Sequence, residues 1–188
     1  MSTATLHNEK KKTLVPQLRF SGFEGEWKNL KFPEMIVKSN QGVNTTTEKV
    51  EYSNSGYTVV RSNNISENDI SFEEVKYVDE ETFKKIKSSC KPKKGDILYC
   101  NIGSALGSAA LYLLDDDIII NWNVFRIQPD FSIVDNFFMT QELNRIRKTM
   151  RRFATESTMP FISSKAFNFI KFNSSERITC YARNCKRF

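Results

Sequence analysis

KGDILYCNIGSALGSAALYLLDDDIIINWNVFRIQP, residues 94–129, decides the fold class. Lys94-Gly95-Asp96 is a turn signal ahead of an apolar run at 97–102. Gly103-Ser104 and Gly107-Ser108 break that run, and a second one occupies 109–114. Asp115-Asp116-Asp117 demands a polar turn. Residues 118–120 and 124–127 then read as short strands, stopped by Pro129. Short β-branched and aromatic runs punctuated by Gly, Asp and Asn are the grammar of strands and turns. Asn101, Ser104, Asn121 and Asn123 cluster at the strand ends, where a purely structural sheet has no need of them. They are candidates to touch a polar partner.

Upstream, GYTVVR at 56–61 is a strand ended by Ser62-Asn63-Asn64, and a second short segment follows around Asn68-Asp69. Asp79-Glu80-Glu81-Thr82 reads as a helix start with an Asp N-cap and acids in the first turn. That helix points Phe83 and Ile86 inward and Lys84, Lys85 and Lys87 outward. Residues 34–38 fit a strand or a helical turn, and 41–47 a loop. Leu18, Phe20, Phe23, Trp27 and Phe32 are the anchors of an extended aromatic arm over 14–32, because Pro16, Gly22 and Gly25 deny it a helix. Residues 1–13 are a basic polar tail.

Downstream, 134–153 reads as one helix, with Val134, Phe137, Phe138, Leu143, Ile146, Met150 and Phe153 near helical spacing. Its other face carries Arg145, Arg147, Lys148, Arg151 and Arg152. Phe167, Phe169, Ile170 and Phe172 are expected in the core. From Ser174 the apolar period collapses, so 174–188 is expected to be irregular. Strands before and after helices make the chain α+β, with a mixed or antiparallel sheet and a few packed helices. One domain is expected over 14–173.

The composition fits a globular domain. Of 188 residues 39% are hydrophobic, 15 are Phe, and Lys plus Arg exceed Asp plus Glu for a net charge of +6. A basic balance favours a polyanionic partner. No apolar run is long enough to cross a bilayer, and the N-terminus lacks the apolar core of a secretory signal. Cys90, Cys100, Cys180 and Cys185 have no CxxC spacing, and the single His is His7, so no metal site is expected. Reduced thiols in a cytoplasmic protein are the simplest reading.

Four stretches together resemble the specificity (S) subunit of Type I restriction–modification systems: VPQLRFSGFEGEWKNLKF at 15–32, GYTVVRSNNI at 56–65, KKGDILYCNIGSALGSAAL at 93–111 and NWNVFRIQP at 121–129. The resemblance implies a DNA target recognition domain, one of the two that such a subunit carries. It implies a non-catalytic role in bacterial defence, directing adenine methylation and DNA restriction by partner subunits. Modification subunits would use S-adenosylmethionine, and the restriction subunit ATP and magnesium; no cofactor would belong to this chain. Only one recognition domain fits the length, and the long helical spacer of the family is mostly lacking after Ser174, so a truncated end is expected.

A sequence reader needs side chains that reach base edges: Asn and Gln for adenine, Arg and Lys for guanine. Arg61, Asn63 and Asn64 form one candidate set. Asn101, Ser104, Asn121, Asn123 and Arg126 form another. Each taken alone has the alternative use of satisfying its own turn. Phosphate contacts would come from Lys84, Lys85, Lys87, Lys91, Lys93 and Lys94, and from Arg145, Lys148, Arg151 and Arg152, with both patches on one face. The segment 103–107 lacks the residues of a nucleotide-binding loop and reads as a close turn. Two rival readings remain open. Asp69 with Glu74-Val75-Lys76 is the outline of a metal-dependent nuclease. A half-length module that needs a second copy or a modification subunit to bind DNA is the other.

Overall fold

The computed structural model describes residues 27–155, 157 and 159–175. Strands β1 Trp27–Lys31, β2 Ile36–Gln41, β3 Tyr57–Val60, β4 Ile65–Ser66, β5 Asp69–Ile70 and β6 Lys76–Val78 precede helix α1 Glu80–Lys85. Strands β7 Ile97–Cys100, β8 Ala109–Leu111, β9 Ile119–Ile120 and β10 Val124–Pro129 follow. Helices α2 Asn136–Arg145 and α3 Arg147–Met150 and strand β11 Lys171–Ser175 complete the described chain. The sheets are an antiparallel β2-β10-β7-β8, a mixed β6-β3-β9 in which β3 and β9 run parallel, the β4-β5 hairpin, and β1 paired with β11. The chain is therefore α+β, as the sequence reading has it.

β7 explains the layering. All four of its residues are buried, which places it inside the sheet. Ile97 and Tyr99 face one apolar cluster, shared with Met139 and Leu143 of α2 and with Phe167 and Phe172. Leu98 and Cys100 face another, shared with Val60 and Ile120 of the smaller sheet. Side chains alternate across a strand, so one strand seals two cores. A third cluster, with Val59, Val78, Ile86 and Ile119, lies on the far side of the smaller sheet. Gly42 sits at the junction of the two sheets: a Cβ there would stand 2.3 Å from the carbonyl oxygens of Ile120 and Asn121.

Several elements differ from the sequence reading. The helix expected over 134–153 is cut at Ile146, whose ψ is 4°. Asp135 caps α2 by accepting from the Phe138 N–H at 2.9 Å. After the break, Arg147 is held by the Leu106 carbonyl at 3.1 Å and by Glu67 at 2.7 Å. The inward stripe of α2 is Asn136, Met139, Thr140, Leu143 and Asn144, which leaves Phe137 60% exposed. Phe169, expected in the core, is also exposed and stacks on the exposed Phe153 with centroids 6.3 Å apart. β11 carries regular structure two residues beyond the expected boundary at 173, because Trp27↔Ser175 and Lys28↔Ser174 extend its ladder with β1. α1 agrees with expectation: Asp79 accepts from the Thr82 N–H at 2.8 Å. The basic tail at 1–13, the anchors Leu18, Phe20 and Phe23, His7, Cys180, Cys185 and the irregular end over 176–188 lie outside the described residues.

Candidate nucleic-acid interface

Three separated loops meet at the end of β7. The turn at 61–64 follows β3, the loop at 101–108 joins β7 to β8, and the turn at 121–123 joins β9 to β10. Their junction is a reciprocal pair. The Asn123 Nδ2 donates to Ser62 Oγ at 2.9 Å, and the Ser62 N–H donates to Asn123 Oδ1 at 3.3 Å. The Asn101 N–H donates to the Asn123 carbonyl at 3.2 Å. A Cβ on Gly103 would lie 3.5 Å from Ser62 Oγ, so the third loop touches the same point. The Cys100 thiol donates to the Ser62 carbonyl at 3.6 Å. Burial pushes that thiol up to about 12, which keeps it neutral.

Within the cluster the amides divide their work. Asn64 is buried; its Oδ1 accepts from the Arg61 N–H at 3.1 Å and its Nδ2 donates to the Glu73 carbonyl at 3.1 Å. Arg61 is half-buried and donates through Nη2 to the Glu74 carbonyl at 3.0 Å. These two residues fix the turn at 61–64 against the turn at 73–74. Asn121 is buried at the sheet junction, with Nδ2 3.4 Å from Thr45 Oγ1. Asn101 is 1% exposed, and its main-chain carbonyl accepts from the Ile162 N–H at 2.8 Å. The side-chain oxygens of Asn101 and Asn121 have no hydrogen-bond partner among the described residues. Asn63 and Ser104 are exposed on the rim. The structure thus brings together seven of the eight candidate base readers.

Arg126 is the exception and a correction. It lies on β10 opposite Leu98, away from the loop cluster. Its Nε donates to Asp96 at 2.6 Å and its Nη1 to the Ser88 carbonyl at 3.1 Å, and it is 7% exposed. The guanidinium is committed to Asp96, so a base edge would have to break a buried ion pair to reach it.

The two basic patches do not share an end of β7. Lys93 and Lys94 precede that strand, while the amide cluster follows it. At about 3.3 Å per residue, Asp96 and Asn101 are about 16 Å apart. Four of the six lysines also carry acids: Lys84 on Glu80, Lys85 on Glu81, Lys93 on Asp117 and Lys94 on Asp115. Lys91 lies over the Phe83 ring at 4.0 Å, and Lys87 is exposed. The second patch adjoins the cluster. Arg151 donates through Nη2 to the Ser104 carbonyl at 3.4 Å, and Lys148 and Arg152 are exposed nearby in sequence. Arg145 is engaged by Glu142 through both Nε and Nη2.

Sequence reasoning missed Trp122, Gln41 and Phe161. They line a cleft of about 500 Å³ beside the cluster, together with Asn101 and Ser163. Gln41 Nε2 donates to the Trp122 carbonyl at 2.6 Å. An exposed Trp between two Asn residues was the available signal in 121–123. Among the described residues, no three His, Cys, Asp or Glu side chains are grouped to hold a metal ion. Asp69 and Lys76 of the nuclease outline belong to different sheets. Among the described residues, no helix is long and apolar enough to cross a membrane.

No known family description matches the sequence, and no curated protein matches it. Solved structures do match in fold. The S subunit of the Type I restriction–modification system from M. genitalium aligns with a TM-score of 0.57 at 12% identity, over 91% of this chain and 40% of that one. The HsdS subunit from Thermoanaerobacter tengcongensis aligns with a TM-score of 0.57 at 11% identity, over 91% and 39%. The chain spans about 40% of the length of these structures. Over that span its fold is the one found in Type I specificity subunits.

Proposed function

We propose that the chain is a target recognition domain of a Type I specificity subunit and reads a short sequence in double-stranded DNA. The observation that carries this reading is the convergence of three amide-bearing loops at one end of β7, beside the cations of 148–152. Asn63 and Ser104 are the side chains best exposed to reach base edges, with Asn123 half-buried behind them. Arg61, Asn64, Asn101 and Asn121 shape the loops that present them. Lys148, Arg151 and Arg152 supply phosphate contacts, which position a duplex without reading it. Modification and restriction subunits are the partners, and the methyl transfer and cleavage chemistry is theirs. This chain contributes no catalytic group.

Selection from random duplex DNA at low salt, followed by sequencing, tests the reading. A short enriched motif is expected. Asn63→Ala or Ser104→Ala should then relax one position of that motif by about 1–3 kcal/mol. Retention of DNA with no enrichment would reduce the chain to a basic surface and overturn the assignment.

A further inference from the structure

Among the described residues, the cleft beside the amide cluster is lined by no charged side chain. Trp122, Met159 and Phe161 stand around it with 37%, 60% and 43% of their surface in solvent. Single exposed apolar residues are ordinary, but three around one concavity mark a binding site. Its walls also hold neutral polar groups: Gln41, Ser163 and Ser164. Asn101 is among the lining residues, and its buried Oδ1 lacks a donor among the described residues. A buried acceptor left unpaired is uncommon in native proteins and calls for a donor. A phosphate or any charged ligand would find no counter-ion here. The missing partner is flat, apolar on its faces, neutral, and carries N–H groups on its edge. That description is a nucleobase.

Its place fits the same ligand. Trp122 lies between Asn121 and Asn123, and Ile102, another lining residue, precedes Gly103-Ser104. A base leaving a duplex held at the amide cluster would therefore meet the cleft directly. We propose that the cleft takes one nucleobase turned out of the helix, stacked against the Trp122 and Phe161 side and donating an N–H to Asn101 Oδ1. The proposal rests on the DNA-recognition reading and deepens it. Stacking on aromatic side chains is how extrahelical and single-stranded bases are held without regard to sequence. The Asn101 acceptor adds the demand for an N–H edge.

The test uses the full chain and the four deoxynucleosides, followed by saturation-transfer NMR, with duplex binding measured in parallel by fluorescence anisotropy. Transfer to the base protons of at least one nucleoside is expected. Its affinity should fall about tenfold in Phe161→Ala, the loss of one aromatic stacking partner, and again in Asn101→Leu. Phe161 is exposed, so Phe161→Ala decides the matter alone if Asn101→Leu does not fold. No transfer from any nucleoside up to about 10 mM, or transfer that survives Phe161→Ala, overturns the proposal. Duplex binding without nucleoside binding would sink the cleft and leave the recognition reading standing. Nucleoside binding without duplex binding would sink the recognition reading, and with it the duplex as the source of the base.

Discussion

Arg126 and Asp96 meet at 2.6 Å with 9% of each side chain exposed. Asp96 also accepts from the Lys93 N–H at 2.7 Å, so its carboxylate organises the turn that opens β7. Removing one member strands the other's charge in a dry site. Arg126→Ala should therefore cost about 3–5 kcal/mol in urea unfolding. A loss below about 1 kcal/mol would mean that the pair is wetter than its burial implies. Cys100 makes a different prediction, on pH. Its thiol is raised to about 12 by burial, against about 8.5 in an unfolded chain. The native state then keeps a proton that the unfolded state releases. The contribution is complete below about pH 8.5 and is lost as pH rises toward about 12. Tyr112, pushed up to about 12 by burial and by the neighbouring Asp116, Asp117 and Asp115, acts in the same direction. Urea midpoints should fall between about pH 8 and about pH 10.5, and the fall should shrink in Cys100→Ala. Equal falls in both proteins would remove Cys100 as a cause.

At the scale of elements, the strands and the helix within 134–153 were legible, but the buried face of α2 and its break at Ile146 were not. The runs in 94–129 are bounded by Gly, Asp and Asn, and each holds a strand, although β7 ends at Cys100 and β8 at Leu111, short of the expected 102 and 114. Asp79 was legible as a cap because N-capping is a local bond. α2 misled because apolar period was taken as the mark of the buried face. Its buried polar residues are satisfied at long range or along the helix: Asn136 Nδ2 donates to the Gly95 carbonyl at 3.2 Å, and Thr140 Oγ1 to the Asn136 carbonyl at 2.7 Å. Asn144 does most. Its Oδ1 accepts from the Ala109 N–H at 2.8 Å and its Nδ2 donates to the Ala109 carbonyl at 2.9 Å. β8 is the edge of the larger sheet, so this amide pairs as a further strand would. Asn144→Leu leaves the Ala109 N–H without its acceptor and should cost about 1–3 kcal/mol. Hydrogen exchange at Ala109 should accelerate by more than that at the central strand β7. Unchanged protection at Ala109 would show that the edge holds without α2.

The whole molecule sorts its charges in a way that runs of Lys and Arg conceal. The Glu80–Lys84 and Glu81–Lys85 pairs have i,i+4 spacing, yet the sequence reading assigned both lysines to phosphate. The Lys93–Asp117 and Lys94–Asp115 pairs were not legible, because they depend on Tyr112 and Asp96 being neighbours across β7 and β8. The meeting of the three amide loops was hidden for the same reason: Ser62 and Asn123 are 61 positions apart. The consequence is a division between lysines of which four in six face acids and a cationic stretch at 148–152. On the proposed DNA reading, reversing Lys148, Arg151 and Arg152 to Glu should weaken binding to all duplexes alike. It should also flatten the slope of log affinity against log salt by about 0.9 for each phosphate no longer neutralised. Reversing Lys84, Lys85, Lys93 and Lys94 should move both quantities less, because those charges already face acids and Lys93 and Lys94 stand at the opposite end of β7. Anisotropy titrations over a range of salt concentrations measure both variants against the parent. A larger effect from the lysine end would place the duplex across the start of β7 rather than its finish. The amide loops would then stand too far from the groove to read it.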